Sequence, residues 1–526
     1  MRGLEVTVVV LAAVLTMTWL ARRLQWNEQV LLVAGGCLIG LTPDFHRLAL
    51  PPEVVLLLFL PPLLYWESLT TSLREIRTNL RAIVLLATGL VLATAAAVAA
   101  VGHALGLSWP LAWVLGAVVA PTDAIAVATV ARKLPRRVRT ILRAESLIND
   151  GTALALYAVV VGVAVQQLAV SWSGTAVRFL LAYVGGVAIG SACAAAVVAL
   201  RRRLRDRTVE NALGVLTPFA TYLPAQAVGV SGVLAVVTCG LILSQAGPKV
   251  ISAGARVQIT CFWEVSTSIL NSALFVLVGI QTPAIVSAIG SVSPGHAAIT
   301  ALLVSGVVIA TRVLWQYSVP YVIRAVDRRP VQRTLRTGAR QRFPLAWSGV
   351  RGAVSLAAVL AVPATTTAGR PLAGHGLLVF TAVTVILVTL VLQGTTMPAV
   401  IRWSGLHGDP DETTEERRAH RHIAAAAVEA LPEHAERLKT PPKTAEAILS
   451  ELRQYAAEDA EPLDDSGARA GLELRRALIG VKRSALIRLR DQRSIDDIVL
   501  RRLQLLLDIE EIRVELALSD FTDPPP

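Results

Sequence analysis

Residues 144–151 read Ala-Glu-Ser-Leu-Ile-Asn-Asp-Gly and run straight into the apolar stretch Thr-Ala-Leu-Ala-Leu-Tyr-Ala-Val-Val-Val-Gly-Val at 152–163. Two carboxylates, Glu145 and Asp150, therefore stand at membrane depth. A charged side chain in a bilayer is costly even on lenient scales. A chain keeps such a group for transport work or because it has a fixed partner. Residues four apart on a helix share a face, so Glu145 stacks with Asn149, and Ser146 with Asp150. The second pair offers a hydroxyl and a carboxylate on one stripe, oxygen ligands suited to a hard monovalent cation. Asp150 can hold a cation or a proton, and one carboxylate does not easily hold both. Competition at a single acid is the simplest device for exchanging an ion against a proton. The alternative is an acid hydrogen-bonded inside a helical bundle with no transport role.

The rest of the chain sets this motif in a membrane. Of 526 residues 54% are apolar and the mean hydropathy is +0.58, too hydrophobic for a soluble globular protein. About thirteen runs are long enough to span a bilayer: 5–21, 27–42, 52–66, 82–104, 109–131, 146–168, 176–200, 210–226, 229–246, 258–282, 295–323, 343–363 and 373–402. The expected fold is an all-α polytopic membrane protein with a helical cytosolic tail.

Positive charge gives an independent reading of topology. With the N-terminus outside and one crossing per run, the inner loops hold Arg22, Arg23, Arg74, Arg77, Arg81, the cluster from Arg132 to Arg143, the run from Arg201 to Arg207, Lys249, Arg256 and the stretch from Arg324 to Arg342. The outer loops hold little beyond Arg2, Arg47, Arg178 and Arg370. This alternation follows the positive-inside rule and places the C-terminus in the cytoplasm. It also accounts for the net charge of +12, so no nucleic-acid partner is called for. Cys37, Cys193, Cys239 and Cys261 all fall in apolar runs and suggest no disulfide framework. The first run lacks a small-residue cleavage site and is followed by Arg22-Arg23, so it reads as a retained helix.

Other polar residues interrupt the apolar runs. Pro121 lies within 109–131 and removes a backbone donor; Thr122 and Asp123 follow it. Broken helices in transporters expose carbonyls and helix ends that coordinate cations. Thr122 would offer its carbonyl or hydroxyl, and Asp123 would balance a half-helix N-terminus. A simple proline kink is the plainer reading. Arg351, in Trp-Ser-Gly-Val-Arg-Gly-Ala-Val-Ser-Leu, needs a counter-charge; Glu145 is the favoured partner, and snorkelling to the inner face is the alternative. Glu264 and Arg312 form a plausible structural ion pair. Glu67, near the inner end of the third run, either guards an inward funnel or faces water.

Hydropathy ends near Trp403. The expected division is a membrane domain over 1–404 and a cytosolic helical domain over 405–526. In the tail Ile495, Val499, Leu503, Leu506, Ile509, Ile512 and Leu516 recur at helical spacing. No phosphate loop, zinc spacing or nucleophile elbow is present, so neither an enzyme nor a cofactor is indicated.

Four motifs, in order, resemble those of the monovalent cation:proton antiporter-1 family, the sodium/proton exchangers: Pro-Thr-Asp at 121–123, Glu-Ser-Leu-Ile-Asn-Asp at 145–150, Phe-Trp-Glu at 262–264 followed by Asn271-Ser272-Ala273-Leu274-Phe275, and Gly-Val-Arg-Gly-Ala-Val-Ser at 349–355. The resemblance covers roughly 1–402. It implies inverted repeats, a homodimer, and a core in which two unwound helices cross, here the spans of Asp123 and Arg351. It further implies a cation site of Asp150, Ser146, Thr122 and Asp123, with Glu145 and Arg351 as a supporting ion pair. Asn149 before Asp150 goes with electroneutral exchange. Two departures stand out: Ala124 replaces a common proline, and Trp66 occupies the place of a common glutamate, with Glu67 one residue on. A one-residue offset turns a helical side chain by about 100°, which argues against a ligand role for Glu67. The expected activity is Na+/H+ antiport across a bacterial plasma membrane, with Na+ (or K+, Li+) held at Asp150. A K+/H+ antiporter of the same build is the alternative, and a cation channel or sensor a more distant one.

Overall fold

The computed structural model describes residues 2–522 apart from 25, 43–51, 72, 74, 75, 77–82, 124–134, 166–171, 205, 288, 290, 291, 327–337, 407–410, 459–464 and 493–496. Ala124 and Arg47 thus lie outside the described residues, as do Arg74, Arg77, Arg81, Arg132, Lys133, Arg205 and Ile495. The described residues are helical nearly throughout, and the chain falls into two compact units, Met1–Leu406 and His407–Pro526.

The first unit holds α1 (Arg2–Leu24), α2 (Glu28–Gly40), α3 (Pro52–Thr70), α4 (Leu90–Ala104), α5 (Trp109–Val119), α6 (Arg136–Ala164) and α7 (Trp172–Arg201). It continues with α8 (Arg207–Ala227), α9 (Gly232–Val250), α10 (Ala253–Ser287), α11 (Pro294–Val326), α12 (Ala339–Trp347), α13 (Ala353–Leu360) and α14 (His375–Ser404). Seven of these are long and apolar enough to cross a membrane: α1, α4, α6, α7, α10, α11 and α14. Four shorter apolar helices, α2, α3, α5 and α9, accompany them. The fold is that of a polytopic membrane protein.

Two apolar runs do not form continuous helices. In the run 109–131, α5 ends at Val119 and residues 121–123 are non-helical. Pro121 has no N–H with which to continue the ladder. The run 343–363 divides into α12 and α13, separated by a non-helical stretch at 348–352. The candidate run 210–226 became α8, whose first turn carries Glu210 and whose interior carries Pro218 and Pro224, and it is not among the seven.

Local chemistry fixes the remaining ends. Asn27 caps α2, its side-chain oxygen accepting from the N–H groups of Gln29 at 3.0 Å and Val30 at 3.4 Å. Asp206 caps α8 in the same way, at 2.8 Å from Thr208 N and 3.0 Å from Val209 N. The closest helix pairing joins α2 to α10. A Cβ on Gly36 or Gly40 would lie 2.2 Å from the carbonyl oxygen of Val276 or Ile280, and one on Gly279 would lie 2.3 Å from that of Val33. Only glycine permits backbones to meet so closely. The most enclosed long helix is α6, with 72% of its most apolar window buried, and it carries the Glu145–Asp150 motif into the centre of the bundle.

The second unit holds α15 (Asp411–Arg437), α16 (Pro442–Glu458), α17 (Asp465–Asp491) and α18 (Asp497–Thr522). α17 and α18 pair along a seam of Ile479, Leu486 and Val514, all buried. The stripe anticipated from sequence faces away from that seam: Leu506 is 58% exposed and Leu516 66%.

Candidate functional site

The non-helical stretches after α5 and before α13 meet. The Asp123 N–H donates to Val350 O at 2.8 Å, tying one to the other. The Asp123 side chain lies against Gly352, the residue that caps α13; a Cβ at 352 would overlap its carboxylate. A negative group thus sits at the N-terminal, positive end of a short helix. The opposite pairing occurs at α5, where Arg351 donates from Nε to Val119 O at 2.9 Å. Arg351 also donates to Gly349 O. A cation therefore meets a carbonyl at the C-terminal end of α5.

A second arginine does the same for α12. Arg312 of α11 donates from Nη2 to Leu345 O at 3.1 Å, in the last turn of α12. It also grips Glu145, with Nη1 to Oε1 at 2.5 Å and Nη2 to Oε2 at 3.3 Å. Both side chains are 1% exposed. This corrects two expectations. Glu145 pairs with Arg312, and the expected Arg312 partner, Glu264, is exposed on α10. Arg351, 1% exposed, is buried and does not snorkel; its hydrogen bonds go to backbone carbonyls. The physical reason is reach. Gly349 leaves room beside the Arg312 side chain, which passes there to the acid, while Arg351 is occupied with the crossing.

Asn149 and Thr122 bridge α6 to the non-helical segment after α5. Asn149 Nδ2 donates to Thr122 Oγ1 at 2.8 Å, and Thr122 Oγ1 lies 3.5 Å from Glu145 Oε1. Asp150 stands one residue beyond Asn149 and has no hydrogen-bond partner among the described residues. Its side chain helps line a small, partly open cavity, together with Leu63, Leu64, Glu67, Pro121, Thr122, Asp123, Asn271 and the Gly352–Ser355 start of α13. Ser146, 2% exposed, faces the Glu67 carboxylate.

The structure thus gathers Asp150, Thr122 and Asp123 on one cavity wall, with Ser146, Asn149 and Glu145 packed behind. It adds Glu67, which the rotation argument set aside. That argument fixed the azimuth of Glu67 relative to other chains, not relative to this cavity. Pro61 and Pro62 inside α3 also free the helix from an ideal phase. Asn271 reaches the cavity as well; its only sequence signal was its place in a motif. Among the described residues no three His, Cys, Asp or Glu side chains gather closely enough to hold a metal ion. A guest cation here would draw on neutral oxygens as well as carboxylates.

The chain was compared with known proteins. A sequence model of the family described as "Sodium/hydrogen exchanger, transmembrane" matches residues 9–403. An "uncharacterized Na(+)/H(+) exchanger" of Mycobacterium tuberculosis is 44% identical over 521 residues, covering 97% of this chain and 96% of that protein. A "sodium, potassium, lithium and rubidium/H(+) antiporter" of Bacillus subtilis is 32% identical over 383 residues, 70% of this chain and 56% of that protein. Among solved structures, the sodium proton antiporter MjNhaP1 of Methanocaldococcus jannaschii superposes with a TM-score of 0.60 over 77% of this chain and 99% of that one, at 17% identity, a likeness of fold.

Proposed function

This chain belongs to the transmembrane sodium/hydrogen exchanger family, and from that premise we propose that it exchanges Na+ for H+ one for one at Asp150. The family is one of transporters, so the residues act by binding, release and movement. In this reading Asp150 takes a cation when ionised and gives it up when protonated. The broken helices carry the loaded site from one face of the membrane to the other. Thr122, Ser146 and Asp123 assist Asp150, while Glu145, Arg312 and Arg351 hold the crossing together. We place the N-terminus outside, the tail in the cytoplasm of a bacterial cell, and two protomers in the working unit. The membrane domain is 1–404 and the tail 405–526.

One observation carries this reading. Of the two acids in the Glu145–Asp150 motif, Glu145 is locked to Arg312, whereas Asp150 lies on the cavity wall without a hydrogen-bond partner among the described residues. An acid without a fixed partner in a membrane interior is the one available to a proton and a cation in turn. The test is Asp150→Asn in proteoliposomes under an imposed pH gradient. Sodium-dependent proton flux should vanish while the protein remains monodisperse; surviving flux would remove Asp150 from this role.

A second reading, exchange of K+ as well as Na+, draws on the Bacillus subtilis relative, whose name includes potassium, lithium and rubidium. All of these ions take oxygen ligands. A cation series on the purified protein separates the two.

A further inference from the structure

Asn271 opens the motif Asn271-Ser272-Ala273-Leu274-Phe275, and the scheme above gives it no role. It stands on α10 and lines the same cavity as Asp150, Glu67 and Asp123. Its amide oxygen is buried and lacks a hydrogen-bond partner among the described residues. An unmet buried polar group is destabilising, and where a fold keeps one, an unfilled partner is the first explanation to test. The side-chain amide oxygens of Gln29, Asn149, Asn211 and Gln393 are also orphaned among the described residues. None of those four lines the cavity.

Several other side-chain oxygens on this wall are already engaged or charged. The Thr122 hydroxyl receives Asn149 and faces Glu145, and Asp123 lies against the start of α13. Glu67 and Asp150 are carboxylates. A cation stripped of water at this wall needs neutral oxygens in addition to an acid, because each further carboxylate would alter the charge carried per cycle. An amide oxygen meets that need. It attracts a cation through its dipole and has no affinity for a proton near neutral pH. It therefore acts on one of the two competitors and leaves the other alone.

We infer that Asn271 is a specificity-determining ligand, its side-chain oxygen joining Asp150 around the transported cation and setting the affinity for that cation. The inference rests on Asp150 being the exchange site. The experiment compares wild type, Asn271→Leu, Asn271→Ser and Asp150→Asn in proteoliposomes with Na+, Li+ and K+. Asn271→Leu keeps the volume and removes the oxygen; the KM for Na+ should rise about tenfold with the maximal rate held within about twofold, as for a lost binding contact. Asn271→Ser, which keeps a shorter oxygen and guards against a misfolded leucine variant, should fall between leucine and wild type. The ratio of KM values among the three cations should shift in both variants. A merely structural residue would lower the rate for every ion and leave each KM and their ratios unchanged, and that result would overturn the assignment. If Asp150→Asn still exchanges, the underlying site is wrong and this inference falls with it. If Asp150→Asn is silent and the Asn271 variants keep wild-type KM values, the role of Asn271 alone is refuted.

Discussion

The carboxylate of Asp123 lies where the Cβ of any other residue at position 352 would have to stand. Gly352 is thus required by a neighbouring acid. Its φ of −136° is negative, outside the left-handed range that favours glycine, so the lack of space beside Asp123 is the evident reason for glycine. Gly352→Ala should push Asp123 off the start of α13. Overpacking of this kind costs about 1–3 kcal/mol. We expect a lower melting temperature in detergent and a larger fall in exchange than in stability, since the displaced group belongs to the crossing. Unchanged transport with normal expression would contradict this.

The pairing of Glu145 with Arg312 yields a sharper test. Removing one member of a buried ion pair strands the other, at about 3–5 kcal/mol, whereas replacing both with neutral groups is often tolerated. Glu145→Gln and Arg312→Met should each destabilise strongly, and the double variant should recover much of the loss. Glu264→Gln should leave thermal stability near wild type. If Glu264→Gln couples to Arg312→Met in a double-mutant cycle and Glu145→Gln does not, the pairing described here is wrong.

Sequence made some of this site readable and left some of it hidden, for physical reasons. Pro121 announced an interruption in its run, because backbone hydrogen bonding is a local property, whereas the interruption at Arg351 was implied only by the family resemblance. The membrane class followed from run length, and the face shared by Ser146 and Asp150 from helical period. The partner of Glu145 was a different matter. Arg312 and Arg351 are both intramembrane cations, and choosing between them requires knowing which helix passes Gly349. That is tertiary information. The place of Glu67 on the cavity wall was hidden for a related reason: helical phase across two adjacent prolines is not ideal. In the tail, period correctly marked a helix, yet the more conspicuous stripe proved to be the exposed one. The packed seam there uses fewer apolar positions, including Val514.

The proposed competition at Asp150 carries a definite sign for the pH dependence. Protons occupy the carboxylate at low pH, so acid weakens cation binding. The apparent KM for Na+ should climb toward a tenfold rise per unit of acidification, about 1.4 kcal/mol each, once the carboxylate is mostly protonated. It should level off at alkaline pH, where no proton competes. The maximal rate at saturating Na+ on the loading side should vary far less. Initial rates in proteoliposomes across a pH series measure this directly. A KM independent of pH with a pH-dependent maximal rate would point to two separate sites.

The tail helices α17 and α18 carry four close ion contacts: Arg476 to Glu515 at 3.2 Å, Lys482 to Glu510 at 2.8 Å, and Arg483 to Asp508 and Glu511 at 2.6 Å each. Most of these groups are about half exposed, Lys482 at 53% and Glu510 at 46%, and exposed pairs contribute little, typically about 0–1 kcal/mol. The hydrogen bonds to Asp508 and Glu511 raise the pKa of Arg483, which keeps a group charged that is charged in any case. Apolar burial should therefore hold the hairpin. Ile479, 1% exposed, packs in its seam, and truncating a buried isoleucine to alanine costs about 2–5 kcal/mol. Ile479→Ala in the full chain should speed hydrogen exchange across residues 465–522, while Lys482→Ala with Glu510→Ala should change it little. Raising the salt concentration to 1 M screens the ion pairs and should likewise leave protection in place. Should salt alone release that protection while Ile479→Ala does not, charge pairing and not burial is what joins the two helices.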